Sequence, residues 1–130
     1  MTLKIRPVTL QDVEQIAQIH VASWKKAYNG MFSEVFLENF TPESRYILWR
    51  NNINDPNKII LVLENNNKII GFIMGESINQ RKYAQYDGDL TALYLKKEEQ
   101  GKGYGKLLFD ALLTEFINIG YQNCIVQVLK

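Results

Sequence analysis

An α/β fold, with a mixed and mostly antiparallel sheet and helices on both faces, follows from three observations on this 130-residue chain. Apolar residues recur at helical spacing after Thr9 and again after Gly103. Between them lie two short apolar runs, Ile59 to Leu63 and Ile69 to Glu76, joined by the turn-forming Asn65-Asn66-Asn67-Lys68. A last strand-like run, Cys124 to Leu129, follows a helix, so the crossover returns it in parallel beside residues 88 to 95. The order is β-α-α-β-β-β-α-β.

Each element has its own signal. Leu3 to Arg6 alternates as a short strand, and Pro7 suits its end. Thr9-Leu10-Gln11-Asp12 resembles a capping box, with Asp12 standing where Glu or Gln is usual. Val13, Ile16, Ala17, His20 and Trp24 follow on one helical face, and Tyr28-Asn29-Gly30 breaks the helix. Ser33 and Thr41-Pro42 mark two further helix starts, with Pro42 at the favoured first-turn position. The second of these helices carries Tyr46, Ile47, Trp49 and Arg50 and stops at Asp55-Pro56-Asn57.

The unbroken apolar run Ile59 to Leu63 predicts a strand buried on both faces. Gly71 and Gly75 inside the next strand predict a bulge or close packing. Residues 77 to 86 are polar and read as a loop. Gly88 to Leu95 is the next strand. Leu107, Leu108, Ala111, Leu112 and Phe116 form the stripe of the last helix, which Gly120 caps.

Hydrophobic residues at 46% and charged ones at 22% describe one globular domain, residues 1–130, with a single core. A net charge of +1 argues against a general nucleic-acid binder. No apolar run is long enough to cross a bilayer, and Lys4 and Arg6 lead into polar residues rather than a signal peptide. The one cysteine, Cys124, excludes an internal disulfide and fits a reducing, cytoplasmic setting. In its apolar run it reads as a buried strand residue rather than a nucleophile. No HxxxE or CxxC pattern occurs, so no metal site is expected.

The stretch Leu90 to Leu113 carries the chemistry. It reads as strand, charged turn, glycine loop and helix. Gln100, Gly103 and Gly105 stand as Q-x-x-G-x-G, with Gly101 as an extra glycine. Such a loop can turn successive N–H groups toward one ligand, and the helix start adds unpaired N–H groups and partial positive charge. Lys102 and Lys106 add two full charges. The combination suits a pyrophosphate. It is not a Walker loop, because Leu107 follows Lys106, and G-x-G-x-G is not the dinucleotide fingerprint. Lys96, Lys97, Lys102 and Lys106 together read either as a solvated turn or as a phosphate funnel.

Gln100-x-x-Gly103-x-Gly105, preceded by Leu93-Tyr94-Leu95 and followed by Leu107-Leu108, resembles the acetyl-coenzyme A signature of the GNAT superfamily of N-acetyltransferases. Ile19 to Tyr28, with Gly30 after it, is similar to the first helix and loop of many bacterial members. The resemblance implies acetyl-coenzyme A as cofactor, its pyrophosphate held at Gln100, Gly101, Lys102, Gly103, Tyr104, Gly105 and Lys106. It also implies that strands 88–95 and 123–129 splay apart around the pantetheine arm. The backbone of Leu93, Tyr94 and Leu95 then bonds that arm and the acetyl oxygen, while the Leu93 and Leu95 side chains read as core.

The implied reaction is direct transfer of acetyl to an amine of a small molecule or a protein. Asp89 matches a carboxylate position of the family and is the first candidate for general base, with a loop anchor as its other reading. Glu76 is the second candidate, acting through a water. His20, the sole histidine, reads as a packed residue with one satisfied nitrogen. Trp24 and Tyr28 are candidate acceptor contacts, or else core aromatics, as is Phe32. Family members usually continue with a helix bearing Asn…Ala…Tyr-Glu and two more strands, which nothing after Leu129 resembles. The expectation is therefore a C-terminally shortened fold that pairs as a homodimer along its last strand. Its thiolate proton comes from Tyr83, Tyr86, a partner chain or solvent. The alternative is a catalytically weak or inactive coenzyme A-binding module.

Overall fold

The computed structural model describes residues 2–28, 41–77, 88–120 and 124–126. Five strands form one sheet in the order β1-β2-β3-β4-β5: β1 Leu3–Pro7, β2 Lys58–Asn65, β3 Lys68–Ser77, β4 Gly88–Leu95 and β5 Cys124–Val126. The first three pairings are antiparallel. The last is parallel and matches Gly88, Asp89 and Leu90 with Cys124, Ile125 and Val126. Among the described residues three helices cover the sheet: α1 Val13–Tyr28, α2 Pro42–Ile53 and α3 Tyr104–Asn118. The order and the parallel return agree with the sequence reading. The helix start at Ser33, Phe32, the loop at 77–86 with its tyrosines and the end of the last strand fall outside the described residues, Ser77 itself closing β3.

The double burial expected of β2 is present. Ile60, Leu61, Val62 and Leu63 are all buried. Alternation sends Ile60 and Val62 to one core layer, with Ile16 of α1, Trp49 of α2 and Phe72 of β3. It sends Leu61 and Leu63 to the other layer, with Leu108, Leu112 and Phe116 of α3. Two cores back to back across one sheet therefore replace the single core expected. The stripe on α3 is also displaced. Tyr104, Leu108, Leu112 and Phe116 are buried at i, i+4 spacing, whereas Leu107 is 45% exposed.

Local chemistry sets the element ends. Asn66 and Asn67 both take positive φ, 54° and 69°, and close a two-residue hairpin between β2 and β3. Thr41 caps α2 reciprocally: its Oγ1 accepts from Ser44 N–H at 3.2 Å, and Ser44 Oγ accepts from Thr41 N–H at 3.2 Å. At the entry to α1, Asp12 Oδ2 accepts from Thr9 N–H at 2.8 Å. The Thr9 hydroxyl donates to the same carboxylate instead of capping an N–H. Gly75 behaves as expected of a close-packed glycine, since a Cβ there would lie 2.6 Å from Phe116 Cζ.

Candidate functional site

The site is built along β4 and the link to α3. A register shift between Met74 and Gly75 of β3 leaves Thr91 of β4 as an extra, unpaired residue. Beyond that bulge, Lys96 N–H donates to Ile70 O at 2.9 Å and fixes the phase of the antiparallel ladder. Ala92 and Tyr94 therefore bond toward β3, and the N–H and C=O groups of Leu93 and Leu95 point to the other side. Among the described residues, pairing with β5 ends at Leu90, so residues 91–95 have no partner strand there. The part of the last strand that would lie beside residues 91–95 falls outside the described residues, and the expected divergence of the two strands with it. Tyr94 departs from expectation, because its backbone is committed to β3.

The link after β4 is a short turn of 3-10 helix, Lys97–Glu99, followed by the glycine loop. Gln100 Nε2 donates to Leu95 O at 3.3 Å and folds the turn back on the strand end. Gly101 and Gly103 have φ of 79° and 83°, a region that L side chains rarely adopt. No atom lies within 4 Å of where a Cβ would stand at either position. Gly103 then serves as the N-cap of α3, with no side chain to satisfy the first turn. The first helix bond runs from Leu107 N–H to Gly103 O at 3.3 Å, so the amides of Tyr104, Gly105 and Lys106 precede the ladder.

Two lysines flank this open end. Lys102 Nζ lies 3.3 Å from Glu99, and Lys106 Nζ lies 3.3 Å from Asp110. Each stays more than half exposed, so water screens both pairs and leaves the cations available. A cavity of about 580 Å³ adjoins the loop, lined by Leu95, Lys96 and Gln100 on one wall and by Gln15, Gln18 and Ser23 of α1 on the other. The α1 wall was not singled out in the sequence. Its signal is the polar pair Gln15 and Gln18, with the small Ala22 beside them, on the helix side opposite Ile16 and His20.

The side chains of the motif divide. The ring of Tyr104 is buried in the α3 core layer, which leaves only its backbone N–H at the loop. Leu93, expected in the core, is 38% exposed, whereas Leu95 packs against the α3 layer as expected. Tyr94 lies on the opposite face, 4.9 Å from the His20 ring and 5.5 Å from Phe72.

Glu76 and Asp89 occupy directly opposed positions in the β3–β4 register, at the end of the strand far from the glycine loop. Six residues separate Asp89 from Leu95, about 20 Å of strand. The Glu76 side chain is half-buried; that of Asp89 lies outside the description. Trp24 and Tyr28 fall in the last turns of α1, with their side chains likewise outside it. His20 is a buried core residue, its Nδ1 accepting from Trp49 Nε1–H at 2.9 Å. Burial, and secondarily the charge of Arg45, pushes its pKa down to about 4.

Comparison with known proteins agrees with this geometry. Residues 15–129 match the family model described as the acetyltransferase (GNAT) family. Over 126 residues the chain is 24% identical to the uncharacterized N-acetyltransferase YuaI of Bacillus subtilis, covering 97% of this chain and 71% of that protein. Over 113 residues it is 27% identical to spermidine N(1)-acetyltransferase of Thermoplasma acidophilum, covering 83% of this chain and 66% of that one. The fold superposes on PaiA N-acetyltransferase of T. acidophilum in complex with coenzyme A, with a TM-score of 0.81 and 26% identity over 98% of this chain and 80% of the other. It also superposes, at 23% identity and a TM-score of 0.72, on a soil-metagenome aminoglycoside acetyltransferase in complex with sisomicin, over 98% of this chain and 78% of the other. The open glycine cradle, the first-turn amides that precede the helix ladder and the two flanking lysines fit the pyrophosphate of coenzyme A. The chain belongs to the acetyltransferase (GNAT) family of acyl-coenzyme A-dependent N-acetyltransferases, and its cofactor is acetyl-coenzyme A.

Proposed function

We propose that this chain transfers acetyl from acetyl-coenzyme A directly to an amine of a small, cationic molecule. The observation that carries the reading is the continuity of β4, whose Leu93 and Leu95 backbone groups face away from β3, with the glycine cradle at the start of α3. When bound, acetyl-coenzyme A supplies an activated thioester. Gly101 to Lys106 hold its pyrophosphate with backbone N–H groups and two ammonium groups, and Gln100 keeps the turn folded against Leu95. Leu93 and Leu95 offer backbone N–H and C=O groups to an extended arm, as an added strand would use them.

Glu76 of β3 and Asp89 of β4 are register partners at the strand ends far from the glycine loop, the end we assign to the acceptor. Two carboxylates there attract an ammonium and can remove its proton, directly or through a water. Trp24 and Tyr28, in the last turns of α1, are the proposed acceptor contacts. A small polyamine-like acceptor is supported by the spermidine acetyltransferase among the relatives and by the sisomicin-bound neighbour. The single cysteine, Cys124, supports a cytoplasmic setting, and the assembly proposed is a homodimer.

Thiol release from acetyl-coenzyme A in the presence of a panel of amines tests the reading. Turnover is expected with polyamines or aminoglycosides. Tight coenzyme A binding without turnover on any amine, small molecule or peptide, identifies a binding module instead. Light scattering at micromolar concentration checks the dimer.

A further inference from the structure

The bulge in β4 decides which backbone groups of the strand face away from β3. On a regular strand, residues two apart share a face. Leu90 nevertheless packs in the α3 layer, whereas Ala92 and Tyr94 pack against the α1 and α2 layer. The switch occurs at Thr91, the residue without a partner in the β3–β4 register. A bulge is one inserted residue, and the ladder can in principle absorb it elsewhere along the strand. Absorbed beyond Leu93, it would turn the backbone groups of Ala92 and Tyr94 outward in place of those of Leu93.

One side-chain bond opposes that slip. Thr91 Oγ1 donates to Met74 O at 3.2 Å. Met74 is the last β3 residue in register before the shift, so its carbonyl lies where the ladder loses step. We propose that Thr91 is a positioning residue: its hydroxyl pins the bulge at residue 91 and thereby presents the backbone of Leu93 and Leu95, not that of Tyr94, to the acyl donor. The last part of this inference rests on the reading that the β4 edge receives acetyl-coenzyme A.

Two variants separate the hydroxyl from the shape of the side chain. Thr91→Val keeps the β-branch that suits a strand and removes the donor, whereas Thr91→Ser keeps the donor. In the unmodified protein the amides of Ala92 and Tyr94, bonded to β3, are expected to be protected from hydrogen exchange. In Thr91→Val they should exchange roughly two- to tenfold faster, the factor given by loss of one ordinary hydrogen bond. Calorimetry with coenzyme A should show a weakening of similar size, and Thr91→Ser should restore both quantities. Unchanged exchange in Thr91→Val overturns the pin. Faster exchange with unchanged affinity for coenzyme A overturns its connection to the donor edge. Should the unmodified chain take up no coenzyme A, the functional reading falls by itself, and the exchange data still decide whether Thr91 holds the bulge.

Discussion

Trp49 donates its indole N–H to Nδ1 of His20 across 2.9 Å, tying α2 to α1 inside the core layer that backs Tyr94 of β4. Only a neutral imidazole with a bare Nδ1 can accept that bond, which places the ring proton on Nε2. The two rings meet edge to face, with centroids 5.5 Å apart. The contact therefore selects one protonation state of the histidine. Burial favours the same state, holding the pKa near 4.

Acid should loosen the fold through this residue. Between its ordinary value of 6.5 and about 4, the unfolded chain binds a proton at His20 that the folded chain refuses. The stabilisation is complete above pH 6.5 and is lost as pH falls toward 4. Urea midpoints measured from pH 7 to 4 should fall, and His20→Leu should remove part of that slope. The same substitution leaves Trp49 Nε1–H buried without its acceptor, at a cost of about 1–3 kcal/mol at pH 7. Parallel profiles for both proteins would show that His20 is not the titrating group.

A second acid-sensitive contact lies at the entry to α1. Asp12 accepts from Arg6 Nη1 at 2.8 Å and Nη2 at 2.9 Å, and Arg6 also bonds Glu64 of β2 through Nε. Burial alone would raise the Asp12 carboxyl, but the guanidinium and Thr9 N–H outweigh it and hold it below the usual carboxylate range. Its contribution is present above the unfolded carboxylate value and is lost as pH falls through the lowered one. Asp12→Asn should cost about 1–3 kcal/mol at pH 7, read from urea denaturation, and markedly less at pH 2.5. An equal cost at both values of pH would contradict a charged contact.

Salt should expose the role of Lys102. Its ammonium, about half exposed, is shared with the more buried Glu99 at 3.3 Å. Lys102→Ala should weaken coenzyme A binding several-fold at low salt and by much less at 1 M salt, where the Debye length shrinks to about 3 Å. Glu99→Gln frees the ammonium and should tighten binding slightly. Calorimetry at both salt concentrations checks the pair. A salt-independent effect of Lys102→Ala points to distortion of the loop rather than lost charge.

Substitutions at Glu76 and Asp89, register partners across β3 and β4, should differ in effect from those in the glycine loop. Glu76→Gln or Asp89→Asn, whichever removes the base, should lower turnover about 100- to 10,000-fold while leaving affinity for coenzyme A within a factor of two. The pair are matched residues in the register, so the double variant reveals whether one substitutes for the other. Turnover unaffected in all three variants would move the base elsewhere.

The local signals that were legible in the sequence are those that the chain must satisfy locally. Pro42 after Thr41, the Asn66-Asn67 turn and the Gly103 start of α3 each solve a backbone problem within a few residues, and each stands where the residues placed it. The apolar run of β2 announced two buried faces for the same reason. What escaped depends on distant partners. Leu107 and Tyr104 both suit an amphipathic helix, and only contact with the sheet decides that Tyr104 turns inward. Thr91 carries no local sign of a bulge, because the inserted residue is defined by the register of β3 rather than by its own type. The polar wall of α1 becomes part of a cavity only once β4 and its turn are folded beside it.

Gly75 bears on how this sequence can diverge. A Cβ at that position would stand 2.6 Å from Phe116 Cζ and 3.0 Å from Leu112 Cδ1 and Cδ2. Any other residue there must lift α3 from the sheet or be met by a smaller residue at 116. Lifting the helix tilts its opposite end, where Gly103 and the donor amides sit. Positions 75 and 116 are therefore expected to drift as a coupled pair among descendants of this chain. A larger residue at 75 without a compensating change at 116 would mark a lineage released from selection for cofactor binding.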